Sequence, residues 1–211
     1  MNKTKIKILN VSRTLFNELG YSHVTIRMIA LKLGMSSGNL NYHFKKREEI
    51  LEALYFEMVA VFDERVEALP KTDLSFLQVK LDIEDSMKRM VDYKFIWTDL
   101  FNILRANDKI QSHFTTAHQT RLAGNKYLFN ALCSDGLMKP TAFNKEYDVL
   151  AEQFVNFGNT WIYTSEVYHE SYSEAYLQKQ ANAMLGLFYP YLTEKGMEEF
   201  KKLVPSWFDW Y

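Results

Sequence analysis

Residues 25–44, which read TIRMIALKLGMSSGNLNYHF, decide the fold. The leading threonine can cap a short helix, because its hydroxyl accepts a hydrogen bond from a free backbone N–H of the first turn. The apolar side chains of that helix recur at helical spacing and are Ile26, Ile29, Ala30 and Leu33. Gly34 supplies the positive φ of a tight turn. Ser36 can then cap a further helix, on which Leu40 and Phe44 share one face. The stretch therefore predicts a helix, a four-residue turn and a second helix.

Another helix is predicted upstream, where apolar residues between positions 6 and 19 fall on one helical face. Those residues are Ile8, Leu9, Leu15, Phe16 and Leu19. Gly20 is expected to end this helix. The helix that follows Ser36 has only two turns, too few to be stable alone, so it must pack on the other two. Its opposite face is then free to bind something else.

The free face of that short helix is small, polar and aromatic. A step of 100° per residue places Gly38, Asn41, Tyr42 and Lys45 on it, with Ser37 and Asn39 at its flanks. The amides of Asn39 and Asn41 can read base edges in a major groove, and Gly38 allows the backbone close to a duplex. Cationic or N–H donor side chains that would hold phosphates are Arg27, His43, Lys45, Lys46 and Arg47. Two alternatives stay open: His43 can cap or pack beside Phe44, and Thr25 can serve as a cap with or without a phosphate contact.

These residues carry a resemblance to a known family. The segments TIRMIA at 25–30 and LGMSSGNLNYHFKKREEI at 33–50, with Phe16 and Gly20-Tyr21 before them, resemble the signature of the TetR family of bacterial transcriptional regulators. The resemblance covers about the first 55 residues. It implies that Ser36–Phe44 is the recognition helix. It also implies that Arg27, Tyr42, His43 and Lys46 touch the DNA backbone, and that Ser37, Gly38, Asn39 and Asn41 lie nearest the bases.

The complete predicted DNA-binding set is Thr25, Arg27, Ser36, Ser37, Gly38, Asn39, Asn41, Tyr42, His43, Lys45 and Lys46. Members of the family often have Tyr where this sequence has Asn41. An asparagine at that place is a natural bidentate partner for adenine.

Charge is divided unevenly along the chain. The first 50 residues carry nine cations and three anions, a charge of +6, while the whole chain has a formal charge of −1, which leaves −7 for the remainder. A basic segment joined to an acidic body is typical of a nucleic-acid-binding head on a domain with another role. A chance cluster on a solvated face is the alternative.

Beyond residue 47 the pattern is helical, so we predict an all-α protein with two domains. Residues 1–46 are the three-helix helix-turn-helix domain, and residues 47–211 are a larger helical domain for ligand binding and dimerisation. A long helix is expected from Arg47 to Pro70, and another up to Asp135. The last two major helices are expected near 144–169 and 172–190, the second starting at a capping box from Ser171 to Glu174.

The resemblance implies that those last two helices pair with their copies in a second subunit as a four-helix bundle. Their apolar bulk exceeds that of ordinary surface helices, and the predicted interface residues are Phe154, Phe157, Trp161, Leu177, Met184 and Phe188. The alternative is that these side chains face the core of their own chain.

The body also contains thioether, imidazole and aromatic side chains that suit an apolar or aromatic small-molecule inducer. The predicted pocket residues are Met87, Met90, Trp97, Phe101, His118, Tyr127 and Trp161. Membership of the plain core is the alternative for each of them. The aromatic tail, with Trp207, Phe208 and Trp210, is expected to dock on its own domain.

Several classes of function are disfavoured. The single Cys133 cannot form an intramolecular disulfide, and no signal peptide or run of about 20 apolar residues is present, which favours a cytoplasmic protein without a membrane partner. His113 and His118 are five apart and lack acidic or Cys partners at metal-ligand spacing, so no metal or cofactor is expected. The sequence contains neither a phosphate-binding Gly loop nor a nucleophile elbow, the motifs that would indicate an enzyme. The prediction is a homodimeric regulator, commonly a repressor in this family, that leaves double-stranded operator DNA when an inducer binds. A helical adaptor that kept the fold without DNA binding is the alternative.

Overall fold

Eleven α-helices account for most of the chain in the computed structural model, which describes residues 2–68 and 74–209. They are α1 (Lys3–Leu19), α2 (Ile26–Lys32), α3 (Ser37–His43), α4 (Arg47–Ala68), α5 (Phe76–Asp92), α6 (Lys94–Thr98), α7 (Leu100–Ala106), α8 (Asp108–Ser134), α9 (Glu146–Val167), α10 (Glu174–Leu185) and α11 (Glu194–Leu203). Short 3-10 turns lie at Tyr21–His23, Gly186–Tyr191 and Pro205–Trp207. The prediction of an all-α fold with an N-terminal helix-turn-helix is confirmed. The predicted helix end at Pro70 and the tail residue Trp210 lie outside the described residues.

The chain divides into two compact units. The first comprises the described residues of Met1–Phe62 and Arg89–Thr115. Its core forms around Phe16, which is fully buried. The Phe16 ring lies 5.2 Å from that of Tyr21 and 5.1 Å from that of Phe95, centroid to centroid. Helix α1 ends at Gly20, whose φ of +81° requires a glycine-like conformation. Leu19, which we expected on the apolar face of α1, is 45% exposed, because the helix ends there.

The second unit comprises the described residues of Asp63–Lys88 and Thr116–Tyr211. Its core is a cluster of aromatic rings centred on Phe188, which is fully buried. Edge-to-face neighbours lie 5.5 to 5.7 Å from the Phe188 ring, a favourable arrangement for aromatic quadrupoles, and they are Phe76, Phe129 and Phe154. The helices of this unit are therefore joined through their own aromatic side chains.

Helices α6 and α7 are separated at Asp99. Two other local features differ from the sequence-based expectation. Helix α10 is capped by Ser173, whose hydroxyl accepts from the N–H of Tyr176, rather than by Ser171. Helix α11 was not expected at all.

Helix α11 is fixed at its start to the turn that ends α8. The Thr193 hydroxyl donates to the carbonyl of Gly136 at 2.6 Å and accepts from the N–H of Gly196 at 3.0 Å. Gly196 lies so close to the carbonyl oxygen of Leu137 that a Cβ there would overlap it. Glycine is therefore required at this position for close approach of two backbones.

The expected domain boundary between residues 46 and 47 stays a prediction, since the compact units describe packing and not independent folding. Within residues 2–68 and 74–209, no helix combines the length and apolar character needed to cross a bilayer.

Candidate nucleic-acid interface

The predicted DNA reader consists of α1, α2 and α3. Its two short helices, α2 and α3, are capped as the sequence indicates. The Thr25 hydroxyl accepts from the N–H of Met28 at 3.3 Å, and the Ser36 hydroxyl accepts from the N–H of Asn39 at 3.1 Å. Because a cap satisfies donors that the helix cannot satisfy itself, each contributes about 1 kcal/mol to helices of only seven residues. The Thr25 side chain is exposed, so its capping role leaves a phosphate contact open.

The turn between α2 and α3 sets the direction of α3. Gly34 has a φ of +66°, and the N–H of Met35 donates to the carbonyl of Ala30 at 3.0 Å. This hydrogen bond closes the end of α2 in the manner of a Schellman cap. The chain then reaches Ser36 in an extended conformation and starts α3.

Helix α3 has one buried and one exposed face. Leu40 is fully buried, and Phe44, the residue after the helix, is 6% exposed beneath the ammonium of Lys5. The residues with exposed side chains are Gly38, Asn39, Asn41, Tyr42, Lys45 and Lys46, while Ser37 and His43 are half-buried. Tyr42 is 85% exposed, and its ring lies edge to face with that of the neighbouring His43. The face that we expected to read bases is thus open to solvent.

Three exposed cations lie on α2 and beside the C-terminal end of α3. They are Arg27, Lys45 and Lys46. None of them forms a salt bridge within the described part of the chain, and the pKa of Glu52 is lowered by a hydrogen bond from Asn107, with a contribution from the Lys46 charge. Lys45 contributes only its backbone here, donating its N–H to Glu49 Oε2 at 2.9 Å, which caps the start of α4. Unpaired cations beside a polar helix face have the electrostatics that phosphate contacts require.

Arg47 has a different role from the phosphate contact that we expected. Its Nη1 donates to three carbonyl oxygens, those of Tyr21, Ser22 and Val24, at 3.1, 3.2 and 2.9 Å. The guanidinium also lies 4.2 Å from the centroid of the Tyr21 ring. Burial raises the pKa of the Tyr21 phenol, and the Arg47 charge partly opposes that rise. Arg47 thus ties the start of α4 to the loop that precedes α2.

One signal in the sequence could have indicated this role. Arg47 is the first residue of α4, where a cation is disfavoured by the helix dipole. A cation at that position is better explained by acceptors outside the helix. The acceptors themselves could not be read from the sequence, because they lie 23 to 26 residues earlier.

The predicted inducer-pocket residues are dispersed. In the first unit, Met90 and Trp97 are buried, whereas Phe101 is 70% exposed beside Arg105. In the second unit, Met87 and Trp161 are buried, His118 is half-buried and Tyr127 is 45% exposed. The exposure of Phe101 and Tyr127 does not suit side chains that enclose an apolar ligand within one chain.

The predicted dimer residues lie mostly inside their own chain. Phe157 is half-buried, and the other five have exposures of 9% or less, namely Phe154, Trp161, Leu177, Met184 and Phe188. These five side chains therefore pack in the core of their own chain, as the alternative interpretation states. In the described residues, no cluster of His, Cys, Asp and Glu has the geometry of a metal site.

Comparison with known families agrees with this geometry. The sequence model for bacterial regulatory proteins of the tetR family matches residues 8–54, and the TetR model for a bacterial transcriptional repressor matches residues 57–200. The chain belongs to the TetR family. It is a DNA-binding transcriptional regulator and not an enzyme. No curated protein sequence matches the chain.

Solved structures of TetR-family proteins share the fold. A TetR-family transcriptional regulator from Marinobacter aquaeolei VT8 is 22% identical and superposes with a TM-score of 0.88, over 98% of this chain and 99% of that one. SmeT, the repressor of the Stenotrophomonas maltophilia multidrug efflux pump SmeDEF, is 17% identical, with a TM-score of 0.66 over 92% of both chains. The regulator FadR from Bacillus subtilis, in complex with stearoyl-CoA, is 18% identical, with a TM-score of 0.63 over 87% of this chain and 97% of that one.

We expect Arg47→Ala to destabilise the helix-turn-helix of this TetR-family protein. The substitution removes a charged donor from three carbonyl groups, and hydrogen bonds to charged groups each contribute about 1.5–3 kcal/mol. Thermal unfolding followed by circular dichroism measures the loss. Lys46→Ala is the matched control, since the neighbouring Lys46 is exposed and unpaired and its removal should leave the melting temperature unchanged. Equal melting temperatures for the two variants would contradict the structural role of Arg47.

Proposed function

We propose that this TetR-family regulator is a homodimeric repressor whose α3 enters the major groove of an operator and which a small molecule releases from DNA. The observation that carries the proposal is the exposed polar face of α3, bordered by unpaired cations and opposite a buried Leu40. Among the described residues, Asn41, Tyr42 and Lys46 are exposed and take no part in the buried core. A duplex explains all three.

We assign the contacts by chemistry. The amides of Asn39 and Asn41 suit base edges, and Gly38 permits the backbone of α3 to approach the groove. Arg27, Lys45 and Lys46 suit phosphates and set the register, with Tyr42 and His43 as further backbone contacts. The Tyr42 and His43 rings lie edge to face with centroids 5.3 Å apart, so they can act as one surface.

Two half-sites on one face of DNA require two copies of α3, hence a dimer. We place the interface on the outer face of α9, because its inner face is already buried in the chain. Side chains spaced along the outer face by three, four or seven positions are exposed, and they are Val149, Asn156, Thr160, Tyr163 and Val167. Val149, Tyr163 and Val167 are 47%, 55% and 52% exposed, a run of apolar surface that a second copy would cover.

The proposed inducer needs a polar anchor as well as an apolar body. Trp97 is 5% exposed, and in the described residues its indole Nε1 has no hydrogen-bond acceptor. A buried donor without an acceptor costs about 1–3 kcal/mol, so a ligand that supplies an acceptor gains that amount on binding. We therefore propose an apolar inducer with a carbonyl, ether or similar acceptor directed at Trp97.

Helix α6, which carries Trp97, is joined to α1 of the DNA reader. The Asn17 amide donates to the carbonyl of Asp92 at 2.8 Å and accepts from the N–H of Phe95 at 3.2 Å. A ligand that displaces Trp97 would therefore strain a contact only two residues away. This connection supports ligand control of the position of α1.

The similar solved structures support the same proposal. SmeT is described as the repressor of an efflux pump, and FadR was solved in complex with stearoyl-CoA, whose stearoyl chain is apolar. We infer that this chain too is a repressor, that it binds operator DNA in the cytoplasm and that its ligand is apolar. Identities of 17% and 18% carry only the fold, so the ligand of FadR is not transferred to this chain.

DNA binding should separate two kinds of contact. Lys46→Ala removes a phosphate partner, so affinity should fall on operator and random duplexes alike, and the log–log salt slope should shrink by about 0.9. Asn41→Ala should keep that slope and cost about 1–3 kcal/mol on the operator only. Titrations on a duplex selected from a random library, and on its scrambled form, measure both effects. Lys202→Ala, an exposed cation of α11, is the control and should change neither. Equal losses of affinity on both duplexes for Asn41→Ala would mean that Asn41 contacts the DNA backbone and not a base.

The dimer should depend on the outer face of α9. Tyr163→Glu places a charge in the proposed apolar interface, so sedimentation at micromolar concentration should show a monomer. Gln111→Glu, on the exposed surface of α8 and outside the two helices expected at the interface, serves as the comparison for the added charge alone and should remain a dimer. A dimer of unchanged stability in Tyr163→Glu would place the interface elsewhere.

The unpaired Trp97 donor can be tested without knowing the ligand. Replacing Trp97 with the isosteric β-(3-benzothienyl)alanine removes the N–H and keeps the shape, so the unfolding free energy should stay equal or rise. Tyr147→Phe is the control that removes a satisfied donor, because the Tyr147 hydroxyl donates to the Lys139 carbonyl at 2.6 Å. That control should lose about 0.5–1.5 kcal/mol. A loss of similar size at Trp97 would mean that its N–H is already satisfied and would remove it as the inducer anchor.

A further inference from the structure

The C-terminal part of the second unit contains an open groove of about 700 Å³. Its walls come from the 3-10 turn after α10, from α11 and from the turn at Pro205–Trp207, and the side chains used below are those of Tyr189, Met197, Lys201, Trp207 and Phe208. The volume is typical of sites for small organic molecules. None of the seven residues predicted for the inducer pocket lines it.

The aromatic walls of the groove are held in place. The six-membered ring of Trp207 lies against Gly186, where an added Cβ would come within 2.9 Å of it. The fully buried Phe200 ring lies 6.1 Å from the Trp207 ring and 6.4 Å from the Phe208 ring. Tyr189 and Phe208 are inclined by 32° with centroids 5.9 Å apart. Trp207 and Tyr189 nevertheless remain 45% and 41% exposed, so they are fixed but not covered.

Among the described residues that line the groove, Lys201 is the one with a charged side chain. Its ammonium lies 5.5 Å from the centroid of the Phe208 ring and has no carboxylate partner in residues 2–68 and 74–209. Lys88 and Lys126 of the same unit form ion pairs with Glu174 and Asp148, whereas Lys201, like Lys179 and Lys202, forms none among the described residues. An unpaired cation above aromatic rings is complementary to a molecule with one negative charge and a flat apolar body.

We infer that this groove binds a small aromatic carboxylate, with its rings against Trp207 and Tyr189 and its carboxylate on Lys201. A carboxylate satisfies the single cation, and planar rings match two exposed aromatic faces. The site is separate from the inducer anchor proposed at Trp97 and does not depend on DNA binding. It gives the protein a second ligand class.

The test uses 2-naphthoate as the probe and the full-length protein without DNA, with binding measured by isothermal titration calorimetry. We expect saturable binding that weakens about fivefold in Lys201→Gln, the upper range for a partly exposed ion pair. Lys202→Gln is the matched control, because Lys202 is the next residue, is exposed and does not line the groove. The neutral 2-naphthamide should bind the unaltered protein as weakly as 2-naphthoate binds Lys201→Gln.

A second variant, Trp207→Leu, should weaken 2-naphthoate about tenfold through loss of the aromatic wall. Three results would overturn the inference: no saturable binding at millimolar probe, equal effects of the two lysine variants, or binding that both Lys201→Gln and Trp207→Leu leave unchanged. Lys201→Gln alters only an exposed side chain, so it remains decisive if Trp207→Leu does not fold. Loss of operator binding or of the Trp97 anchor would leave these results unaffected.

Discussion

The guanidinium of Arg47 holds the DNA reader together. Helices α2 and α3 have seven residues each, well below the length at which an isolated helix is stable in water. They depend on α1 and on a fixed path of the loop that precedes α2, and three carbonyl groups of that region converge on Arg47. Arg47 is also the first residue of α4, so one side chain joins α4 to the loop that precedes α2. Together with the Ser36 cap and the buried Leu40, this convergence supports the position of α3.

Local chemistry was predictable from the sequence and long-range chemistry was not. The caps at Thr25 and Ser36 and the turn at Gly34 involve residues at most five apart, so propensity and spacing identify them. Contacts over longer separations have no such signal. The Asn17 side chain bonds to the backbones of Asp92 and Phe95, which lie 75 and 78 positions later in the chain. Helix α11 is fixed by the close approach of Gly196 to Leu137. Periodicity likewise identified the apolar side of α9 but could not say whether its own chain or a partner covers it.

A polar network beside Asn17 strengthens the link between α1 and the end of α5. The Tyr93 hydroxyl donates to Glu57 Oε1 at 2.5 Å and accepts from Arg13 Nη1 at 3.0 Å. Burial, together with the bond to Glu57, raises the pKa of the Tyr93 phenol, so it stays protonated as a donor. Arg89 donates to the backbone carbonyls of Met58 and Glu57 from the other side. Such a network has few alternative arrangements, which suits a connection between the proposed ligand anchor at Trp97 and α1.

Helix α3 is composed of residues that form helices poorly. Its sequence, SGNLNYH, contains a glycine and two asparagines, and only Leu40 among its residues is a strong helix former. The side chains suited to reading bases are therefore the ones that weaken the helix, and caps and burial compensate. Alanine at the exposed positions would stabilise the fold while removing the amides. Directed evolution that selects for heat resistance alone would thus favour alanine on this face and produce more stable proteins that lack the amides proposed to read the operator.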